Sequence, residues 1–311
     1  MIYALALIPV IGLLIFIYFN DKKEKEPIPL LIALFFAGMG TVVTALAGEI
    51  IGEFVVGAVF PNESVLKSVI IATLIVGPAE ELGKFLVLRL ITWKNRNFNY
   101  SYDAIVYAVF VSLGFALFEN IEYVFTGGLT AALVRMFSAV PGHACFAVFM
   151  GYFYSKAKYA SLTNNRKKCA SFTLLSIFTP IVIHGVYDAI LMGGRAFGED
   201  VVTGYAFLLW IFYAAALFTV SCIIIVRASR NDYCILTLPY KVQTVYRPAI
   251  IGSWTCGCGA GNYFNFCAKC GSPRPIESVW NCPKCGTVCT FRFCGNCGCQ
   301  RPGSNIPSQP M

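Results

Sequence analysis

Charged residues are scarce in this chain. They make up 13% of its 311 residues, whereas soluble globular proteins contain about 25%. Hydrophobic residues make up 57%, and the mean hydropathy is +0.67. This shortage of charge excludes a soluble globular protein as the class of the whole chain and predicts a polytopic membrane protein.

Cysteine is sparse over most of the sequence and dense only near its end. Ten of the 14 cysteines follow Trp254. We therefore predict a transmembrane domain and a small cysteine-rich domain with a linker between them. Apolar residues alternate along the linker, so we expect part of it to be a strand. The predicted limits are 1–227 for the transmembrane domain, 228–253 for the linker, 254–302 for the cysteine-rich domain and 303–311 for a disordered tail.

Apolar runs long enough to cross a bilayer recur along residues 1–227. They predict an all-α polytopic membrane protein with about seven transmembrane helices. The first run is too long for a signal-peptide core and should be retained as a span. The second is over-long, so it should tilt, or break near Gly48 or Gly52. The predicted spans are 1–19, 28–56, 66–92, 101–125, 129–154, 170–192 and 202–226.

Lysine and arginine are shared unevenly between the two sides of these spans. The loops after spans one, three, five and seven hold 12 basic residues, whereas the other side has Lys67 and Arg195 near its span ends. The positive-inside rule places the basic side in the cytoplasm. We therefore expect a multi-pass protein of the cell membrane, with its N-terminus outside and its cysteine-rich end inside.

The cysteine-rich end contains two copies of one motif, which start at Trp254 and Trp280. Each copy supplies four cysteines from two short loops, which suits a closed tetrahedral Zn²⁺ site, and a reducing cytoplasm disfavours disulfides. The pattern resembles the double zinc ribbons of many bacterial membrane proteins, and Cys289 and Cys299 are alternative ligands. The predicted zinc ligands are Cys256, Cys258, Cys267 and Cys270 in the first ribbon, and Cys282, Cys285, Cys294 and Cys297 in the second.

The positive charge of this end does not by itself indicate nucleic-acid binding. From Arg227 onward there are nine basic and two acidic residues, but each Zn²⁺ held by four thiolates would carry a charge of −2 and offset part of that surplus. Neither ribbon interleaves exposed aromatic residues with basic ones. We expect a docking or regulatory module for a cytoplasmic protein.

Ionisable residues also lie inside the spans, where each costs roughly 2.5 kcal/mol or more. Glu80 and Glu81 are in the middle of the third span, and the only two histidines of the chain are in the fifth and sixth. At 1.5 Å per residue their depths overlap at about 21 Å from where each span enters the bilayer. One such histidine alone would fit a helix–helix hydrogen bond equally well, but seven ionisable residues on four spans predict a functional cavity. The predicted site residues are Glu80, Glu81, Lys84, Glu119, His143, His184 and Asp188.

Two chemistries remain open for this cavity. Carboxylates and imidazoles suit Zn²⁺ or another divalent metal, and one glutamate of a close pair also suits a general base that activates water directly. Arg135 and Glu122 are expected near the outer interface and receive no role. A different class of function, a non-enzymatic scaffold or an ion- or proton-coupled carrier, is the alternative to an enzyme.

Four motifs in order resemble those of the PrsW family of intramembrane proteases, distant relatives of the CAAX prenyl peptidases. They are Glu80–Lys84 (EExxK), Phe115–Glu119 (FxxxE), His143–Gly151 and His184–Asp188 (HxxxD). The resemblance covers about residues 1–227 and excludes the ribbons. Glu119 and Asp188 stand where the CAAX relatives have other residues, which favours the PrsW group.

The resemblance implies hydrolysis of a peptide bond in a membrane protein, such as an anti-sigma factor or another signalling protein. Glu80 or Glu81 would activate water. His184, with Glu119 and Asp188, would bind a metal or stabilise the oxyanion, and His143 would be a ligand or orient one. Lys84 would balance the acidic pair.

Overall fold

The computed structural model describes residues 2–198 and 200–236, and in the cysteine-rich end residues 254–262, 267–272, 280–289, 293–294, 296–300 and 302. The chain divides into two units, residues 1–240 and 241–311. The expected linker strand lies almost wholly outside the described residues, and the predicted disordered tail at 303–311 lies entirely outside them.

The first unit is built from helices. Four stretches are long and apolar enough to cross a membrane: Ile28–Val59, Asp103–Leu162, Arg166–Ala196 and Asp200–Arg230. The count of seven spans and their orientation stay predictions. The described helices are α1 (Ile2–Asn20), α2 (Ile28–Val59), α3 (Val65–Ile70), a π-helix (Ile71–Val76), α4 (Gly77–Thr92), α5 (Asp103–Phe137), α6 (Ala139–Leu162), α7 (Arg166–Ala196) and α8 (Asp200–Arg230).

Helix α5 forms the centre of this unit and packs against α1, α2 and α6. Its residues from Asp103 to Val109 and from Val111 to Leu117 are all buried. Large apolar side chains such as Phe54, Leu90 and Phe125 are exposed on other surfaces. An apolar exterior around a packed centre is what a lipid-facing helical bundle requires, because lipid replaces water as the surrounding solvent.

The structure does not contain the break that the sequence suggested near Gly48 or Gly52, since α2 is continuous through both. These glycines instead allow close packing between helices. A Cβ atom at Gly52 would collide with Ile75 of the π-helix, and one at Gly48 would lie 3.1 Å from the Cβ of Ala79 in α4. Small residues let helix backbones approach each other, so α2 lies directly against the segment that carries the acidic pair.

A true interruption occurs inside α5, between the predicted fourth and fifth spans. Gly128 has φ 63° and ψ −149°, which is not helical, and such a positive φ is accessible mainly to glycine. The part of α5 after Gly128 therefore runs in a different direction from the part before it. This change of direction places Arg135 beside Asn120, 15 residues earlier.

The cysteine-rich unit contains two short antiparallel hairpins, which repeat the sequence motif. Strand β1 (Trp254–Thr255) pairs with β2 (Gly261–Asn262), and β3 (Trp280–Asn281) pairs with β4 (Val288–Cys289). After each cysteine pair a glycine with φ between 71° and 82° donates its N–H to the carbonyl of the pair's first cysteine at 2.8 Å. These glycines are Gly259, Gly271, Gly286 and Gly298.

Candidate functional site

The acidic pair shares one positive charge from its own helix. Lys84 lies three and four residues after Glu81 and Glu80, so all three side chains share one face of α4. The Lys84 Nζ atom donates to Glu80 Oε2 at 2.9 Å and to Glu81 Oε1 at 2.8 Å. It also lies 3.8 Å from the centroid of the Phe115 ring. Glu81 and Lys84 have no exposed surface and Glu80 is 5% exposed, so this pairing is what makes the burial of two carboxylates tolerable.

His143, on α6, contacts both Lys84 of α4 and Glu119 of α5. Its Nδ1 atom lies 3.2 Å from Lys84 Nζ, and its Nε2 atom lies 2.8 Å from Glu119 Oε2. An ammonium group only donates hydrogen bonds, so Nδ1 is the acceptor and Nε2 carries the proton that is donated to Glu119. The two partners therefore determine the tautomer of His143.

His184, on α7, lies between two carboxylates. Its Nδ1 atom is 3.0 Å from Glu81 Oε1, and its Nε2 atom is 3.2 Å from Asp188 Oδ2, one helical turn later. Because both carboxylates accept hydrogen bonds, the ring carries a proton on each nitrogen in this arrangement. The ring also stacks on Phe146 with centroids 4.5 Å apart.

Two glycines bring α7 close enough for these contacts. A Cβ atom at Gly185, next to His184, would lie 2.9 Å from the Cα of Thr73, and one at Gly77 would lie 3.0 Å from the carbonyl oxygen of Ile181. Side chains larger than hydrogen would separate α7 from the π-helix and the start of α4. The structure thus brings all seven predicted site residues into one network, while their catalytic roles stay predictions.

Arg135 also belongs to this network, although no role was predicted for it from the sequence. Its Nη2 atom lies 2.8 Å from Glu119 Oε2, and its Nε atom donates to Asn120 Oδ1 at 3.2 Å. Arg135 therefore holds the carboxylate that in turn contacts His143. The Gly127–Gly128 pair between Glu119 and Arg135 was the available signal, because it indicates a change of chain direction.

The central donor atoms fit a divalent metal. One carboxylate oxygen or ring nitrogen from each of Glu80, Glu81, His143 and His184 lies within 4.8 Å of all the others. The Lys84 ammonium contacts three of these residues, so a cation already occupies the middle of the donor set. The buried Glu81 Oε2 atom has no hydrogen-bond partner among the described residues. Carboxylate and imidazole donors suit Zn²⁺ and related ions.

Glu119 and Asp188 contact the two imidazole rings rather than belonging to this donor set. A carboxylate that accepts a hydrogen bond from a histidine orients the ring and increases its strength as a ligand. The sequence grouped both residues with His184 as candidate ligands. In the structure they are placed to orient the histidines.

The eight predicted zinc cysteines form two clusters of four, each with its sulfur atoms within 4.8 Å of one another. Sulfur–sulfur distances are 3.5 and 3.6 Å in the first cluster, and 3.4 Å for two pairs in the second. A tetrahedral Zn²⁺ site with bonds of about 2.3 Å needs separations of about 3.8 Å. The eight cysteines of these two clusters are not joined by disulfides. Both clusters therefore suit a metal, and Cys289 and Cys299 lie outside them.

Comparison with known proteins gives one consistent result. A family model described as "PrsW family intramembrane metalloprotease" matches residues 26–220. Protease PrsW of Oceanobacillus iheyensis is 35% identical over 203 residues, which are 65% of this chain and 88% of the relative. Protease PrsW of Clostridioides difficile is 31% identical over 214 residues, with 67% and 87% covered. The Bacillus subtilis protein of that name is 33% identical over 184 residues, with 59% and 79% covered. No solved structure matches significantly.

Proposed function

We propose that this chain, which belongs to the PrsW family of intramembrane metalloproteases, hydrolyses a peptide bond of a membrane protein with water activated at Glu80. Family membership makes the chain a protease that acts in a membrane. The observation that supports this chemistry is the buried network in which Lys84, His143 and His184 converge on the acidic pair. We also propose seven spans in the cell membrane, with the N-terminus outside, because the basic loops favour that orientation.

Glu80 is the better general base of the pair. Glu81 Oε1 accepts hydrogen bonds from both Lys84 and His184, and the side chain has no exposed surface. Among the described residues, Glu80 accepts a hydrogen bond only from Lys84, and it is 5% exposed. A base must contact the water that it deprotonates, so Glu80 takes the proton while Glu81 holds Lys84 and His184 in place.

The remaining steps follow from the donors around the pair. The hydroxide attacks the peptide carbonyl carbon, and the negative charge on the carbonyl oxygen is stabilised by the positively charged His184 or Lys84. The C–N bond then breaks as Glu80 returns its proton to the leaving amine nitrogen. A divalent metal would be held by Glu81, His143 and a His184 that has lost one ring proton, and it would polarise the carbonyl and make the water more acidic. Three protein ligands with one open position are usual for catalytic zinc.

A cavity of about 340 Å³ adjoins the site and suits an apolar side chain of the substrate. Gly142 precedes His143, and Tyr187 precedes Asp188, so the cavity wall and the catalytic network share two helices. An apolar pocket of this size selects a residue by burial rather than by hydrogen bonding. The other lining residues are Phe137, Ser138, Pro141, Cys145, Ala214, Ala215, Leu217 and Phe218.

For the cysteine-rich unit we propose two structural Zn²⁺ sites, within a domain at 254–302 that follows a 228–253 linker and docks a cytoplasmic protein. The support is the repeated geometry of the two four-cysteine clusters. Replacing one zinc ligand in each ribbon, as in Cys256→Ser with Cys285→Ser, should unfold this unit and leave proteolysis of a reporter substrate intact. Release of about two Zn²⁺ per chain checks the stoichiometry, and Cys285→Ser should halve it.

The protease assignment is tested with the full-length chain in membranes and a single-span reporter substrate. Glu80→Gln should reduce cleavage by roughly 100-fold or more, because amide nitrogen and oxygen cannot take the proton. Glu122→Gln is the matched control, since Glu122 is exposed on α5 and should leave cleavage unchanged. Normal cleavage by both Glu80→Gln and Glu81→Gln would refute the assignment. A scaffold would instead tolerate these changes and lose function with the ribbon cysteines.

A further inference from the structure

A second cluster of buried carboxylates lies outside the protease site. Asp21 and Glu26 belong to the turn between α1 and α2, and Asp103 is the first residue of α5. One carboxylate oxygen from each lies within 4.8 Å of the other two. The three residues are 1%, 3% and 0% exposed. Three carboxylates buried together repel one another unless a positive charge or protons intervene.

No basic side chain forms an ion pair with this cluster in the described part of the chain. Lys25, the nearest candidate, directs its Nζ atom to the backbone carbonyls of Tyr18 and Asp21. Burial raises the pKa of Asp21, the charge of Lys25 lowers it, and the charge of a fourth acid, Asp232, which follows α8, raises it further. The cluster therefore has no counterpart to Lys84.

Several buried oxygens of this region have no hydrogen-bond partner among the described residues: both carboxylate oxygens of Asp21, Oδ1 of Asp103, Oδ2 of Asp232 and the Tyr102 hydroxyl. The N–H groups of Lys23 and Glu24 approach the Asp21 carboxylate, but not with the geometry of a full hydrogen bond. The Tyr102 hydroxyl is a separate indication, because this fully buried group faces the charges of Asp21 and Asp232. An unpartnered buried polar group costs about 1–3 kcal/mol, so a shared partner is needed.

We propose that Asp21, Glu26 and Asp103 bind a hard divalent cation of the Mg²⁺ or Ca²⁺ class, with the Tyr102 hydroxyl and Asp232 completing its surroundings. The donors are all oxygen, which disfavours Zn²⁺ and Cu²⁺. Opposite oxygens on Ca²⁺ lie about 4.8 Å apart and those on Mg²⁺ about 4.2 Å apart. Carboxylate oxygens that lie within 4.8 Å of one another are compatible with either cation.

The cation would connect three distant parts of the sequence. Asp232 Oδ1 accepts hydrogen bonds from the N–H of Tyr102 at 2.9 Å and from Ser101 Oγ at 2.7 Å. The N–H of Ile235 donates to the Asn99 carbonyl at 2.7 Å. The segment after α8 is thus fastened to the start of α5, beside the turn between α1 and α2. Bound cation should stabilise this junction, which includes the start of the 228–253 linker.

The test uses the full-length protein in detergent, stripped of metals and then given Mg²⁺, Ca²⁺ or neither. The wild-type melting temperature should rise with at least one cation. Asp21→Asn removes one repelling charge, so without cation it should melt at or above the wild-type temperature, and its affinity should fall by roughly tenfold or more. Glu24→Gln is the matched control, because Glu24 is exposed in the same turn and should respond like wild type.

Terbium luminescence excited through tyrosine gives a second measurement, since Tyr107 donates a hydrogen bond to Glu26. The signal should be present in Glu81→Gln, which alters the protease site, and lost in Asp21→Asn. A wild-type protein without any cation response would overturn the proposal and leave a cluster that holds only protons. Equal responses of wild type, Asp21→Asn and Glu26→Gln would overturn it as well.

Discussion

The helical unit buries two groups of carboxylates and compensates them differently. In the protease site Glu80 and Glu81 share the ammonium of Lys84, and the surrounding carboxylates pair with histidines and Arg135. In the second cluster Asp21, Glu26 and Asp103 have no basic partner among the described residues. The positive charge that compensates the first group is the side chain of Lys84. The second group requires a cation or protons from solution.

This difference affects what each group can do. Paired charges hold fixed positions at all pH values near neutrality, which suits a site that must orient water and a peptide bond. Unpaired carboxylates change charge or bind ions as conditions change. The protease site is therefore preorganised, whereas the charge and ion binding of the second cluster depend on pH and on the ions in solution.

The largest effect should come from removing the internal cation of the first group. Lys84→Met leaves the buried Glu80 carboxylate without its hydrogen-bonded cation and Glu81 with His184 alone, so we expect loss of cleavage and a fall in stability of about 3–5 kcal/mol. Thermal melting and reporter cleavage measure the two effects. Lys67→Met is the control, because its partner Glu63 is 83% exposed and such surface pairs contribute about 0–1 kcal/mol. Lys84→Met in a Glu80→Gln, Glu81→Gln background should recover stability; failure to recover it would mean that charge is not the cause.

A smaller effect should follow from loosening the outer part of the network. Arg135→Ala leaves Glu119 without its guanidinium, so His143 is less well oriented and kcat should fall by roughly 10–100-fold with little change in KM. Arg135→Lys should recover part of the activity, since an ammonium can pair with Glu119 but cannot also reach Asn120. Full activity of Arg135→Ala would remove this residue from the network.

The smallest effect concerns pH and the second cluster without divalent cations. Burial, the largest cause, raises the pKa of Asp21 to about 6 and that of Glu26 to about 7. Because the folded state holds these protons more tightly than the unfolded state, stability should fall as pH rises from about 4 to about 7. The other titratable groups that face Asp21 and Glu26 are Glu24, Lys25, Tyr102, Asp103, Tyr107 and Asp232.

Asp21→Asn isolates the contribution of Asp21, since those facing groups are unchanged in the variant. Its melting temperature should depend less steeply on pH than that of wild type between about pH 4 and pH 7. A slope equal to that of wild type would show that Asp21 does not titrate in this range.

The protease site was predictable because its residues follow helical spacing. Lys84 lies one turn from the acidic pair, and Asp188 lies one turn from His184, so each motif is visible in a short stretch of sequence. The role of Arg135 was not predicted, because its contact with Glu119 depends on the interruption of α5 at Gly128. The expected break in α2 was wrong for a related reason: a glycine inside a helix marks either a break or a close helix contact, and sequence does not separate the two.

The sequence by itself determined the membrane class, the two four-cysteine motifs and the seven ionisable residues of the buried network, because hydrophobic runs and local spacing encode them. Only the tertiary structure decided which partners each side chain meets. It placed Lys84 between two carboxylates and His143, put Glu119 and Asp188 behind the histidines, and assembled Asp21, Glu26 and Asp103. Those contacts join segments far apart in the chain, where packing rather than local spacing sets the distances.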